Sequence, residues 1–499
     1  MNKTLMLFFL IVVSNLLFAK NYHVQPLGSD NNDGLSFAKA FRTIQKAANL
    51  VVAGDSILVY DGFYKGWDHF YKNSGVQGNP IVYFAKGKNV IINQSCGRGF
   101  DGLNIEGCDW IEVNGFRVQS IADPNGSGED GIRAVLSNHI IIRNCIVDSC
   151  YRGIFTGYTD DFLAENNICR RSYGEHGIYV SNNSDEVTLR FNVSYGNKAA
   201  GIQLNPDLSS GSPGLSYHVF IYNNICYNNR IGLNLQGLYY SYVYNNLLYN
   251  NGSNNGGNGI TLFHGDAATG CNDVKVFNNT VVVPSGSQWA ILAIESDSLS
   301  ILNNILISFS SKGCLDIENS CSNYFGDYNI LNDKMTTDQG NSYINFAQWK
   351  NKGNDLHSVL AVDNSSLFED LTNNNFHLSA LSAARNSGDN LVLNLVTTDL
   401  DNEKRPQGKS IDIGCYEFRE STQVDQQKEH KSEYILKYQN DFLIVEGLEE
   451  GQSIMLTNLL GQVVEWADRV NISNLAHGIY FISIVDNNGQ LLATVKVDI

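Results

Sequence analysis

The sequence predicts a right-handed parallel β-helix, and three observations lead there. Short apolar–polar alternations recur through the middle of the chain, as in Val274-Lys275-Val276 and Leu299-Ser300-Ile301, and period-two alternation is the pattern of a strand. An Asn-containing pair follows each alternation. The pairs begin at Asn114, Asn144, Asn166, Phe191, Asn223, Asn245, Asn278 and Asn303, at separations of 30, 22, 25, 32, 22, 33 and 25 residues. A second phrase, Gly followed by Ile or Leu, stands at Gly131, Gly153, Gly177, Gly201, Gly232 and Gly259, at separations of 22, 24, 24, 31 and 27. A base period of 22 to 25 residues is too short for a propeller blade or a helix pair. The leucine-rich frame is absent. One coil of two or three short strands remains.

Taken in order, the chain opens with Lys3, an apolar run from Leu5 to Phe18 and a small-residue site at Ala19. This is the pattern of a secretory signal peptide over 1–19. Removing Lys3 with it takes the net charge from −17 to −18. Residues 20–65 are expected to cap the solenoid, with an amphipathic helix over Ala40–Val52, because an open end would expose core and strand edges. Coils are expected over about 80–320. Eight visible coils at about 4.8 Å each make a rod of roughly 40 Å. The stacked Asn pairs are read as an amide ladder and the Gly residues as tight corners. Residues 320–418 lose the repeat and are read as an irregular closing region. Residues 419–433 are a polar linker, and 434–499 return to alternating strands with turns at Gly461, Gly478 and Asn487-Asn488-Gly489, a small β-sandwich.

Composition limits the function classes. The 499 residues are 43% hydrophobic, with 45 Gly and 7 Pro, so disordered and collagen-like readings fall away. A net charge of −17 offers no basic footprint for nucleic acid. No later apolar run is long enough for a membrane span. Ten cysteines in an exported chain permit disulfides. Cys145 with Cys150 and Cys314 with Cys321 are local candidates, while buried free thiols explain the cysteines inside apolar repeats.

Three stretches resemble known families. Tyr22–Tyr64, with Phe41-Arg42-Thr43-Ile44-Gln45-Lys46-Ala47 and Gly54-Asp55-Ser56-Ile57, resembles the opening of secreted β-helix proteins, including family 9 polysaccharide lyases. Arg405-Pro406 through Asp412-Ile413-Gly414-Cys415-Tyr416-Glu417 is similar to the closing motif of extracellular β-helix repeat proteins. The tail, with Asn458-Leu459-Leu460-Gly461, Gly478-Ile479-Tyr480 and Val495-Lys496-Val497, resembles the C-terminal sorting domain of the type IX secretion system. The resemblances imply a pectate-lyase-like solenoid, a secreted or cell-surface location and the outer-membrane secretion machinery as a partner. The lyase family also uses a catalytic Lys and a calcium site of several Asp, an Asp cluster that no positions here reproduce.

Stacking converts repeats into columns, and the columns define the candidate site. The residues before the corner Gly are Asp130, Arg152 and His176 on three adjacent coils, with Glu129, Tyr151 and Glu175 one position earlier and Arg133, Phe155, Tyr179 and Gln203 two positions after it. β-Elimination on an acidic, uronate-containing polysaccharide needs a base, an acid and a cation for the enolate. His176 or Tyr173 is assigned as base or acid, Arg152 as the cation, and Lys198 lies one coil away. Tyr173-Gly174-Glu175-His176 also resembles the active-site strand of β-helix alginate epimerases and lyases. Glycoside hydrolysis would need two carboxyl groups instead, and Asp130 with Glu175 is the best pair. Binding or adhesion without catalysis is the third reading, and a plain surface ion-pair ladder would explain the column as well. The lyase reading requires Arg133, Arg152, Arg170, Arg171, Arg190 and Lys198 to converge on one face. Calcium is the one cofactor raised, at Asp160-Asp161. His264-Gly265-Asp266 and Asp355-Leu356-His357-Ser358 are read as turn and closing structure.

Overall fold

The computed structural model describes residues 19–121, 129–253, 256–265 and 267–419 and, beyond them, chiefly seven strands between 435 and 498. The signal-peptide, linker and Asp266 assignments fall wholly or mainly outside the described residues. The chain divides into two compact units, one ending at Arg419 and the other spanning Glu420–Ile499.

The first unit is a parallel solenoid of three sheets. Sheet I has thirteen strands from Asn21–Val24 to Phe325–Asp327, sheet II twelve from Gly62–Lys65 to Val359–Leu360, and sheet III eleven from Asp68–Phe70 to Met335–Thr336. Each coil visits I, II and III in turn, as in Ile140–Arg143, Ile146–Asp148 and Arg152–Gly157. Eleven coils make a rod of about 50 Å. Period-two alternation sends one set of side chains inward. The inward column of sheet III, including Ile132, Ile154, Ile178, Ile202, Leu233 and Ile260, is fully buried, each member contributing about 1.5–3 kcal/mol.

The rod is longer at both ends than the Asn spacing indicates. The Asn pair has two separate jobs, and only the middle coils need both. Its first residue is left-handed, as at Asn144, Asn166, Asn223, Asn245, Asn278 and Asn303, with φ between 51° and 59°, a region Asn tolerates better than most residues. Its second residue is buried and carries the ladder. Asn167 starts it, accepting the Cys145 N–H, and Asn192, Asn224, Asn246, Asn279, Asn304 and Asn329 each receive the preceding side-chain amide, through Nδ2 to Oδ1 bonds of 2.9–3.1 Å. The ladder ends where Asn329 Nδ2 donates to Asp355 Oδ1 at 2.8 Å. One expected position is corrected: Gly115, not Asn114, stands at the corner, since Asn114 pairs in register with Arg143 and Gly115 has φ 86°.

The N-terminal helix is shorter than expected. It spans Ile44–Ala48, with Thr43 Oγ1 accepting the Lys46 N–H at 3.2 Å. Residues 40–42 are instead drawn into the sheet, because Phe41 N–H donates to His23 O and Phe41 bridges to Val24. At the far end, a second helix, Phe346–Asn351, buries Trp349, whose Nε1 donates to Asp355 Oδ2 at 2.8 Å. The closing segment then returns along the coils. Arg405 pairs with Glu417 at 2.8 Å, both fully buried, and Arg405 Nη2 donates to Asn245 Oδ1 and Gly414 O. All ten cysteines are free, so neither local disulfide forms.

The second unit holds two antiparallel sheets. One comprises Ile435–Gln439, Phe442–Glu446 and Arg469–Asn471. The other has four strands in the order Val463–Ala467, Ser453–Asn458, Ile479–Val485, Leu491–Asp498.

Candidate functional site

Sheet III carries the candidate site on its outward face. The strands Asp130–Val135, Arg152–Gly157 and Ile178–Ser181 pair in register, with Asp130 beside Arg152 and Phe155 beside Tyr179. The corner before each strand is a glycine for steric reasons. A Cβ on Gly153 would meet Gly177 O at 2.1 Å, and one on Gly177 would meet Ser194 Oγ at 2.0 Å.

Arg152 is the hub. Its Nε donates to Asp130 Oδ1 at 2.7 Å, and its Nη1 lies 3.5 Å from Glu175 Oε2. Its guanidinium sits 4.5 Å from the Phe155 ring centre and 5.6 Å from that of Tyr151. Tyr151 in turn donates to Glu175 Oε1 at 3.3 Å. Tyr173, half-exposed, donates to Glu129 Oε2 at 3.1 Å, while the other carboxylate oxygen of fully buried Glu129 has no partner.

Burial shapes the electrostatics. It pushes Asp130 up to about 6, against the pull of Arg152. It pushes Asp101 up to about 8, aided by the neighbouring Asp130 charge. Asp101 Oδ1 accepts the Asp130 N–H at 3.0 Å. Sequence reasoning missed Asp101, yet a signal was present. Gly102-Leu103 continues the Gly-Ile phrase one coil before Gly131 and places Asp101 in the same column as Asp130.

His176 lies in the cluster but not as a proton acceptor. Its Nδ1 accepts the Ala200 N–H at 3.1 Å, which puts the proton on Nε2 and leaves no free lone pair. Burial, with the Arg152 charge, holds its pKa down at about 3. His176 is a neutral donor stacked edge-on against Tyr179 at 4.9 Å. The assignment of His176 as base is corrected on that ground.

The remaining assigned residues separate. Arg133 is committed to Asn104 Oδ1 at 2.6 Å and Glu106 Oε2 at 2.7 Å. Gln203 is buried and bonded to Leu204 O and Asn234 Nδ2. Lys198 is exposed at the corner between sheets II and III and makes no ion pair among the described residues. The other arginines scatter. Arg170 pairs with Asp148 on sheet II, Arg171 with the same carboxylate from the corner, and Arg190 with Glu165 on sheet I. The six cations named for the lyase reading do not converge on one face. Asp160 and Asp161 are used locally, accepting the Asp185 N–H and pairing with His139.

Comparison with known proteins bears on the fold. A profile of the family described as periplasmic copper-binding protein (NosD) matches residues 48–263, less than half of the chain. No curated protein matches. The described residues of that span assemble no copper centre. Within the matched span, His69 is bonded to the Tyr83 hydroxyl and Asn73 O, and burial pushes the Cys145 and Cys150 thiols up to about 12. Among the described residues no three His, Cys, Asp or Glu side chains converge on a metal position. No helix among them is long and apolar enough to cross a membrane. The solved complex of XylC with xylose is similar at a TM-score of 0.51 and 12% identity, over 80% of this chain and 99% of that one. Pectate lyase Pel9A is similar at 0.50 and 16%, over 80% and 96%. At such identities the likeness is one of architecture: this chain shares the parallel β-solenoid of XylC and pectate lyase Pel9A.

Proposed function

We propose that this protein is a secreted polysaccharide-active enzyme that hydrolyses glycosidic bonds on the outward face of sheet III. The observation that supports this reading is the Asp130–Arg152–Glu175 arrangement. One guanidinium holds two carboxyl groups, one from the coil on each side of its own, and burial raises one of them to about 6. Hydrolysis needs a carboxyl group that carries a proton near neutral pH and a second carboxylate across the bond. In this reading the Asp101–Asp130 pair holds the proton, and half-exposed Glu175 is the second group. Phe155, Tyr173 and Tyr179 line the same face and offer aromatic surface to a sugar ring.

β-Elimination of a uronate polymer is the second reading. One observation favours it: Lys198 and Arg230 stand exposed at the same corner of consecutive coils without an ion pair among the described residues. Export through the signal peptide and the C-terminal sorting domain belongs to both readings.

The test is the full chain against neutral and acidic polysaccharides, reading new reducing ends and unsaturated-uronate absorbance together. Reducing ends without absorbance, lost in Asp130→Asn and in Glu175→Gln, support hydrolysis. Absorbance lost in Lys198→Ala supports elimination. Retention on a polymer without any product makes the face a binding surface.

A further inference from the structure

We infer that the outward face of sheet II carries a second ligand site, an open cavity that takes one pyranose ring of a glycan. Its occupancy does not depend on the proposed hydrolysis or on the Asp130–Arg152–Glu175 arrangement.

The first observation is a cavity built from two distant parts of the chain. The sheet II strands Leu247–Tyr249, Thr280–Val283 and Ile305–Ser308 stack on consecutive coils. The closing segment returns over their outward face as the hairpin Phe368–Asp370 and Asn375–Leu378. Buried Phe376 anchors it, with its ring 5.1 Å from that of Tyr249 and 5.3 Å from that of Phe368. At the edge of this cover a cavity of about 280 Å³ remains between coils and hairpin. Val282, Pro284, Leu371 and Phe376 give it apolar walls, and Phe309, 48% exposed, adds an aromatic ring open to solvent. Ser285 and Asn374, which also line it, are exposed, so a ligand can enter. The volume lies just under the usual range of small-molecule sites, about 300–1,000 Å³. That is room for one sugar ring and not for a stretch of polymer. The Arg152 strand lies five coils away, about 24 Å along the rod.

The second observation is the chemistry of the lining. Asn250 Nδ2 donates to Asn374 Oδ1 at 3.3 Å, joining coil to hairpin. Neither amide makes another side-chain hydrogen bond among the described residues. The direction of this bond is assigned from the pair alone. Turned either way, the pair leaves one amide oxygen and one NH₂ group free. Neighbouring sugar hydroxyls both donate and accept, so a pyranose can engage the two groups while its apolar face lies on Phe309. An alkyl chain has nothing to offer the free amide groups. A free phosphate or carboxylate finds no cation, since no charged side chain lines the cavity among the described residues. Recognition here therefore owes nothing to charge.

The experiment is saturation-transfer NMR on the full chain, which reads weak binding to a large protein. The probes are the methyl glycosides of glucose, xylose, galactose and mannose, with 1-hexanol as the apolar control. Asn250 and Asn374 hold left-handed φ of 54° and 60°, so Gly removes each amide and keeps the turn. The variants are Asn250→Gly with Asn374→Gly, Phe309→Ser, and Asp130→Asn with Glu175→Gln. The expected result is transfer to at least one glycoside, unchanged in high salt and in the sheet III double variant. The Gly pair and Phe309→Ser should each raise the dissociation constant about tenfold or more, at an unchanged melting temperature. If the Gly pair melts early, Phe309→Ser decides alone. Transfer indifferent to the cavity variants, transfer lost in the sheet III double variant, transfer to hexanol alone, or transfer to no glycoside overturns the inference. Hydrolysis fails separately: a chain that binds as expected but releases no reducing ends keeps this site and loses the sheet III reading.

Discussion

Arg152 Nε donates to Asp130 Oδ1 at 2.7 Å, and on the proposed reading this bond sets the chemistry of the central coils. The guanidinium that would neutralise a uronate carboxylate is already shared between Asp130 and Glu175. The same pairing keeps two carboxyl groups close on a face where burial favours the protonated form of one of them. Replacing Arg152 by Met should therefore abolish turnover and also destabilise the fold by about 3–5 kcal/mol, because Asp130 is left buried and unpaired; Asp130→Asn in the Arg152→Met chain should recover much of the stability and none of the activity, as read by chemical denaturation beside reducing-end release.

The Asp101–Asp130 pair predicts a pH dependence of stability. Asp101 is raised from 3.8 to about 8, so the folded state holds a proton that the unfolded state releases. Its stabilising contribution is complete below about pH 4 and is lost as pH rises through 8. Asp101→Asn keeps the acceptor for the Asp130 N–H and removes the titration. It should raise stability at pH 8 by about 1–3 kcal/mol and flatten the melting profile between pH 5 and 8. A variant that melts in parallel with the wild type across this range would count against the pair.

His176 predicts the opposite slope. Its pKa falls from 6.5 to about 3 on folding, so its contribution is complete above 6.5 and is lost as pH falls toward 3. His176→Leu strands the Ala200 N–H and should cost about 1–3 kcal/mol at pH 7, with a smaller penalty at pH 4. His176→Asn, which still offers an acceptor, should recover part of that loss. If His176 served as a catalytic base, His176→Asn would be inactive; as a neutral positioning donor it should retain measurable turnover with an unshifted acidic limb in the pH–rate profile.

The amide ladder predicts a graded response. Asn246 receives the N–H and Nδ2 of Asn224 and donates to Asn279 Oδ1 and Ile221 O. Asn246→Leu should cost about 1–3 kcal/mol for each stranded group. Asn166→Ala, at the exposed corner before the ladder, gives up a left-handed position at about 1 kcal/mol. Equal losses in urea denaturation would contradict the division of labour within the Asn pairs.

The closing segment predicts one large effect. Arg405 and Glu417 form a fully buried pair, and Arg405→Met leaves Glu417 without its charge partner. The expected cost is about 3–5 kcal/mol, with loss of protease resistance over residues 359–418. A loss under 1 kcal/mol would show that this segment does not depend on the pair.

Much of this architecture is legible in the sequence because the repeat is physical. An inward Ile, a left-handed Asn and a corner Gly recur wherever a coil must turn, so spacing reveals strands, corners and stacking order. The ends are less legible. Residues 40–42 read as helix by apolar spacing, but Phe41 finds a better partner in Val24 and His23. The coil at Gly115-Phe116 is counted one residue early, at Asn114, and the coils before it have no Asn pair in that place, so they escape the count. Within the site, columns predicted that Asp130 and Arg152 would be neighbours. They could not show that each arginine from Arg133 to Arg190 is already paired, since partners such as Glu106 and Asp148 arrive from other coils through side-chain length and rotamer. Nor could they show that His176 spends its lone pair on a backbone N–H. Hydrogen-bond direction is a property of three-dimensional packing and leaves no periodic trace.

The measurement that bears most directly on the central claim is product analysis of the full chain on a neutral polysaccharide and on polygalacturonate, with Asp130→Asn and Glu175→Gln beside it. The account predicts new reducing ends from the neutral polymer, no unsaturated-uronate absorbance from either, and loss of product in both variants. Absorbance from polygalacturonate that survives Asp130→Asn would contradict it.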